Sequence, residues 1–354
     1  MTPGLQTSPA DAAAAPQGKP VLEVRGLEVT FPAGGQRLKI VDGIDLTIHP
    51  GTVLGLVGES GSGKSMLARA VLGMVPYPGK VTAGTIAFEG RDLRGMAASQ
   101  LQQLRGDRIA IVPQEPMTCL NPSFRIGNQL TEVLRVHRPR MNRSARIAQA
   151  VKMMELVGIS YARDRLHQFP HELSGGLRQR VMIAMALLCD NVQLLIADEP
   201  TTALDVTIQA QILELFLRLQ QSSRMAILLI THDLGVVAQT AHNVAVMYAG
   251  ALVETAAVEP LFDQPLHPYT RGLIASLPRP GTIARKAHLP TIPGAVPRPS
   301  AVRVGCTFRD RCTFALDNPC ATVRPVLEPA GPGRWVRCHR WRDIAAMTLV
   351  GPHR

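Results

Sequence analysis

Gly58-Glu59-Ser60-Gly61-Ser62-Gly63-Lys64-Ser65 has the spacing G-x-x-x-x-G-K-S. Glycines at these places let backbone N–H groups turn inward around phosphate oxygens. Lys64 then reaches the β and γ phosphates of a nucleoside triphosphate, and the Ser65 hydroxyl takes up Mg²⁺. The context agrees: Thr52 to Val57 reads as a short buried strand, and Leu67, Val71 and Met74 follow at helical spacing. A strand, a loop and a helix in that order separate a phosphate loop from an ordinary Gly-rich turn.

A second cluster lies about 130 residues on. Leu194-Leu195-Ile196-Ala197-Asp198-Glu199 places two carboxylates at the C-terminal end of an apolar strand, the end at which α/β sheets bind ligands. Asp198 would hold Mg²⁺, mostly through water, and Glu199 would polarise the water that attacks the γ-phosphate. An acidic pair before Pro200 could equally serve a helix dipole; the upstream phosphate loop favours the catalytic reading.

Four of the six cysteines, Cys306, Cys312, Cys320 and Cys338, fall near the C-terminus, separated by 5, 7 and 17 residues. In a chain read as cytoplasmic a disulfide framework is not expected. Four thiolates on loops suit either tetrahedral Zn²⁺ or a [4Fe–4S] cluster; the gaps are wider than common zinc pairs and do not choose. Four unmetallated thiols are the bland alternative. Cys119 and Cys189 read as plain buried thiols.

The elements that must position these groups follow from the apolar pattern. Val21 to Phe31 and Ile44 to Ile48 read as strands, as do Ile109 to Val112, Val192 to Ala197 and Ala226 to Ile230. Residues near 125–160 read as helical, and Ile208, Ile212, Leu215 and Leu219 share one helix face. Strands alternating with helices predict an α/β fold with a mostly parallel sheet covered on both faces. The long helical stretch near 115–190 predicts a separate lobe. Residues 1–20, rich in Ala, Pro, Thr and Gln, read as a disordered tail. With neither a basic start nor a long apolar segment, they do not read as a secretory signal.

With 354 residues, 46% hydrophobic and 18% charged, the chain can bury a real core. No apolar run approaches the ~18–20 residues that span a bilayer. The net charge of +11 is uneven: from Arg271 to Arg354 there are 14 Lys plus Arg against 4 Asp plus Glu. Eleven prolines fall between Pro278 and Pro352. That predicts a loop-rich second domain whose order needs another source, and metal ligation would supply it. Arg309, Arg311, Arg337 and Arg340 are expected to balance the charge of a sulfur cage.

Leu173-Ser174-Gly175-Gly176-Leu177-Arg178-Gln179-Arg180, just ahead of the acid pair, resembles the signature of ABC ATPases. Gln114 in Val112-Pro113-Gln114-Glu115 resembles the Q-loop, Ala203-Leu204-Asp205 the D-loop, and His232 in Ile230-Thr231-His232-Asp233 the switch histidine. Phe31 resembles the aromatic that stacks on the base. Leu177 departs from the Gln of many cassettes. The resemblance covers 21–255 and implies a P-loop NTPase of the ABC type, with an antiparallel β arm and an α-helical subdomain at about 115–190. It implies that two cassettes pair head to tail around two ATP molecules. The Ser174-Gly175-Gly176 turn faces the γ-phosphate held by the partner, Asp205 lies at that junction, His232 senses the γ-phosphate and Gln114 links Mg²⁺ to the helical lobe.

Pro116-Met117-Thr118-Cys119-Leu120-Asn121-Pro122, His267-Pro268-Tyr269-Thr270 and Pro290-Thr291-Ile292-Pro293-Gly294 resemble segments of oligopeptide and dipeptide importer ATPases. Residues 256–354 then correspond to that subfamily's C-terminal extension, whose Cys-rich motif implies [4Fe–4S], with Zn²⁺ the alternative. The implied partners are a second ABC ATPase subunit, two transmembrane permeases and an extracytoplasmic solute-binding protein, with the chain peripheral on the cytoplasmic face of the inner membrane and no nucleic acid bound. Two other readings compete. A soluble ABC ATPase acting on nucleic acid would use the basic Cys-rich tail, but only 4% of residues are aromatic for base stacking. A non-hydrolysing structural partner is disfavoured because Glu199 and His232 are both present.

Overall fold

The computed structural model describes residues 18–114, 119–201, 206–277, 291–299 and 304–348. Glu115 to Thr118, the Ala203-Leu204-Asp205 stretch, Pro290 and all but the end of 1–20 lie outside the described residues. The strands, in chain order, are β1 (Leu22–Ala33), β2 (Gln36–Ile48), β3 (Val53–Val57), β4 (Lys80–Phe88), β5 (Arg91–Asp92), β6 (Ile109–Val112), β7 (Leu194–Asp198), β8 (Ala226–Thr231), β9 (Asn243–Tyr248), β10 (Ala251–Ala257), β11 (Glu328–Gly331) and β12 (Arg334–Val336). The chain forms two compact units, one from residues 1–49, 53–94 and 231–354, the other from 50–52 and 95–230.

In the first unit β2, β1, β4 and β5 form an antiparallel sheet. β1 alternates buried with half-buried residues along much of its length, the pattern of a sheet with one covered face. β3 is buried at every residue and pairs in parallel with β9. From β9 outward the pairing turns antiparallel, through β10 and β12 to β11, so the mostly parallel sheet expected from the sequence is here a mixed one. The physical reason is the connection Ala249-Gly250, where both residues have positive φ, 46° and 86°. That is a two-residue turn whose twist matches a hairpin, and it returns the chain beside β9 with no crossover helix.

The helix Lys64–Val71 ends earlier than the spacing of Leu67, Val71 and Met74 suggests. Gly73, at φ 62°, takes the left-handed conformation that stops a helix. Met74 lies beyond it and is 53% exposed.

Residues after 255 add to the same unit. Glu254, fully buried on β10, accepts from the N–H groups of Leu266 and His267, both at 2.9 Å, and pairs with Arg334 of β12 at 2.9 Å. A buried carboxylate is tolerated only when so fully paired. His267 then caps the helix Pro268–Ala275 through Nδ1, which accepts from the N–H of Tyr269 at 3.0 Å. From 304 to 327 the chain is mostly loop, with one 3₁₀ turn at Arg309–Arg311.

In the second unit β6, β7 and β8 pair in parallel, as expected. β7 and β8 are buried at every position. The helical stretch 125–160 is two helices, Ile126–His137 and Arg143–Leu156. The break falls where Pro139 interrupts and Asn142 caps, its side chain accepting from the N–H of Ala145 at 2.8 Å. On the helix Val206–Ser223 the face of Ile212 and Leu215 is buried and widens to Leu213 and Phe216. Among the described residues no helix is long and apolar enough to cross a membrane.

Candidate nucleotide site and cysteine pocket

The phosphate loop leaves β3 and enters the helix Lys64–Val71. Two glycines are dictated by space as well as by backbone. A Cβ on Gly58 (φ 153°) would lie 2.1 Å from the carbonyl oxygen of Met247, and one on Gly63 (φ 102°) 2.7 Å from that of Ile40. Lys64 is buried to 5% exposure, and its ammonium sits at the centre of the loop. It donates to the carbonyls of Gly58 at 2.7 Å and Glu59 at 3.0 Å, and to Ser62 Oγ at 3.4 Å. Ser60 and Gly61 form the exposed crest of the loop, and Ser65 is the second residue of the helix, half-buried. First-turn amides of a helix lack intrahelical acceptors and favour an anion there.

His232, in the same unit, is exposed just after β8. The next residue, Asp233, caps the helix Leu234–Thr240, accepting from Gly235 at 2.8 Å and Val236 at 3.2 Å. Phe31 is half-buried on β1 with its ring over the backbone of Gly79, where a Cβ would meet the ring at 2.3 Å.

In the second unit Asp198 is the last residue of β7, 7% exposed, and Glu199 follows in the turn before Pro200. Glu199 has φ 48°, a conformation that costs a non-glycine residue on the order of 1–3 kcal/mol and gathers at functional sites. Its N–H donates to Ile230 of β8 at 2.8 Å, which fixes the turn. The Gln114 amide, arriving from the end of β6, donates to Glu199 Oε2 at 3.0 Å. The candidate Q-loop and the candidate base are thus brought together.

The signature serine, Ser174, caps the helix Gly175–Ala186; its Oγ accepts from the N–H of Leu177 at 3.4 Å. Ser174 and Gly175 are exposed, Gly176 is half-buried, and a Cβ on Gly175 would meet nothing within 4 Å. The turn therefore offers an open helix N-terminus. Sequence reasoning missed the role of Gln179, although it stands inside the signature. Buried, it donates to the carbonyl of Pro200 at 2.6 Å and ties the signature helix to the residue after Glu199. Arg180 meanwhile reaches the carbonyl of Val157 and Gln211 Oε1.

The four C-terminal cysteines line one pocket, together with His267, Phe308, Phe314 and His339. Backbone N–H groups point at three of the sulfurs: Phe308 and Arg309 at Cys306, Phe314 at Cys312, and Arg340 at Cys338, the last at 3.4 Å. Burial, reinforced by the neighbouring sulfurs, pushes the Cys306 thiol up to about 11 and Cys338 up to about 12. Soft donors held by N–H groups that favour thiolate are the donor set of a Zn²⁺ or iron–sulfur site, and a bound cation would reverse those shifts. Among the described residues no three His, Cys, Asp or Glu side chains are already closed into a ligand set. The donor chemistry suits a soft metal, and the ligand set is not closed among the described residues.

The expected balance of the cage by four arginines needs correction at one of them, Arg311. Arg309 and Arg340 line the pocket. Arg337 interacts electrostatically with Cys306 while donating to the carbonyls of Leu252 at 2.8 Å and Pro325 at 3.3 Å; Arg311 departs, reaching the phosphate loop and gripping Glu59. Nothing in the spacing announces that last contact.

Comparison with known proteins agrees with the geometry. A family model described as ABC transporter matches residues 41–202, and one described as oligopeptide/dipeptide transporter, C-terminal region, matches 253–320. The oligopeptide transport ATP-binding protein AppD of Bacillus subtilis is 47% identical over 328 residues, covering 92% of this chain and 98% of that protein. The dipeptide transport ATP-binding protein DppD of Escherichia coli is 45% identical over 325 residues, covering 92% and 98%. Among solved structures, the dimeric bacterial ABC transporter cassette MJ0796 superposes with a TM-score of 0.61 at 23% identity, over 67% of this chain and 99% of that one, a likeness of fold. By fold, motif and full-length similarity, this chain belongs to the oligopeptide/dipeptide importer family of ABC transporter ATP-binding subunits.

Proposed function

We propose that the chain binds MgATP through Gly58–Ser65 and hydrolyses it against a second cassette, driving import of di- or oligopeptides. Lys64 takes the β and γ phosphates; Ser65, Gln114 and Asp198 hold Mg²⁺ directly or through water; Glu199 activates the attacking water; His232 senses the γ-phosphate; Phe31 stacks on the base. Ser174, Gly175 and Gly176 complete the facing site, with Asp205 at the junction. Catalysis in such a site is mainly positioning and charge stabilisation. The observation that carries this reading is the Gln114–Glu199 contact at the end of β6 and β7, a carboxylate oriented by the residue expected at the metal.

The peptide substrate rests on the relatives' names and on the match of the C-terminal region. The partners follow: a second ATPase subunit, two permeases and an extracytoplasmic binding protein, with this chain at the cytoplasmic face of the inner membrane. Co-purification with integral membrane subunits tests this; salt-dependent binding to DNA or RNA in their place would contradict it.

Cys306, Cys312, Cys320 and Cys338 hold a [4Fe–4S] cluster, or Zn²⁺ in its place, and ligation free energy stabilises the Pro-rich loops around them. Protein purified without air is expected to be brown, with iron and acid-labile sulfide in equal amounts. Cys312→Ser should lose the colour and lower the melting temperature. A colourless protein with stoichiometric zinc would reverse the choice of metal.

A further inference from the structure

One side chain of the phosphate loop works against its purpose. Glu59, the second residue of Gly58–Ser65, brings a carboxylate to a site built for a polyanion. At an effective dielectric of about 20, one uncompensated charge about 12 Å from a phosphate charge costs roughly tenfold in affinity.

The C-terminal segment answers that charge. Arg311 meets Glu59 through a two-pronged contact, Nη1 to Oε2 at 2.6 Å and Nη2 to Oε1 at 2.9 Å. The guanidinium is fixed before it arrives there. Its Nε donates to the carbonyl of Pro293 at 2.7 Å, and it lies over the rings of Tyr248 at 5.7 Å and Phe308 at 5.9 Å. Its side chain is only 5% exposed. Tyr269, fully buried, holds the same loop residue from the backbone side: its hydroxyl accepts from the N–H of Glu59 at 2.8 Å. Arginine suits this place because its planar fork matches a carboxylate and its charge is permanent.

We propose that Arg311 is a positioning residue of the nucleotide site, which neutralises and immobilises Glu59 so that the phosphate loop can accept a polyphosphate. The inference rests on the reading of this loop as the ATP site and adds to it a side chain from the C-terminal extension.

The test is equilibrium titration of MgATP against the purified full-length wild type, R311A, E59Q and the R311A/E59Q double variant. R311A is expected to weaken binding about tenfold, and the deficit should shrink at high salt, because an unmasked charge is screened. E59Q sets the reference for the loop without its carboxylate, and the double variant should bind about as tightly as E59Q, regaining most of the loss, because the carboxylate that needed masking is gone. Simple loss of packing cannot be repaired by a second substitution on the loop. If R311A fails to fold, R311K replaces it: the charge stays, the fork is lost, and a smaller deficit relieved by E59Q is expected. Wild-type affinity in the Arg311 variant, or a double variant as weak as the single one, would overturn the proposal. A wild-type chain that binds no MgATP would overturn both the proposal and the reading beneath it.

Discussion

Glu199→Gln is expected to bind MgATP as the wild type does and to hydrolyse it at least about 100-fold more slowly, the usual contribution of a positioned general base. The substitution is nearly isosteric. It keeps the turn at φ 48° and leaves the N–H bond to Ile230 untouched. What it removes is the carboxylate that the Gln114 amide orients at 3.0 Å. With binding retained and turnover lost, ATP should hold two cassettes closed, so the variant with its partner subunit should run as a nucleotide-dependent dimer in size-exclusion chromatography. Hydrolysis at the wild-type rate would refute the assignment of Glu199.

Lys64→Ala is expected to fail one step earlier. The Lys64 ammonium is buried and held by the carbonyls of Gly58 and Glu59. Alanine removes the cation meant for the β and γ phosphates and leaves those carbonyls facing inward with no donor. Truncating one partner of a buried charged contact costs about 2–5 kcal/mol, so MgATP affinity should drop on the order of 100-fold. Calorimetric titration checks this. Together the two variants separate holding the nucleotide from cleaving it: one loses affinity and the other only rate.

How much of this was legible in the sequence depends on how local each feature is. The phosphate loop was readable because its glycines are imposed by the backbone and by neighbours a few ångströms away, as at Gly58 and Gly63. The acid pair was readable because a buried parallel strand is a continuous apolar run, and Asp198 and Glu199 end it. The Ala249-Gly250 turn was less so: it lacks the Asn-Gly or Asp-Gly pair that announces a hairpin, and the antiparallel half of the sheet follows from it. Met74 misled because helical spacing continued past the glycine that ends the helix.

The contacts that join motifs were not readable. Gln179 stands in the signature, yet its bond to the carbonyl of Pro200 depends on how two segments fold back. Arg311 is one of 14 basic residues in its segment, and its partner is 252 positions away. Pairings of that kind are set by tertiary packing, here by the rings of Tyr248, Tyr269 and Phe308, which stand 4.7–5.4 Å apart. The convergence of the four cysteines lay between these extremes: their types suggested a metal, but their wide spacing could not show that they share a pocket.

The most direct measurement is ATP hydrolysis by the intact membrane assembly, reconstituted in vesicles with and without peptide-loaded binding protein on the outer face. If cleavage at this site is harnessed to import, the loaded binding protein raises the rate, peptide accumulates inside, and both effects vanish with Glu199→Gln. Equal hydrolysis with and without the loaded protein, or peptide uptake that survives Glu199→Gln, would contradict it.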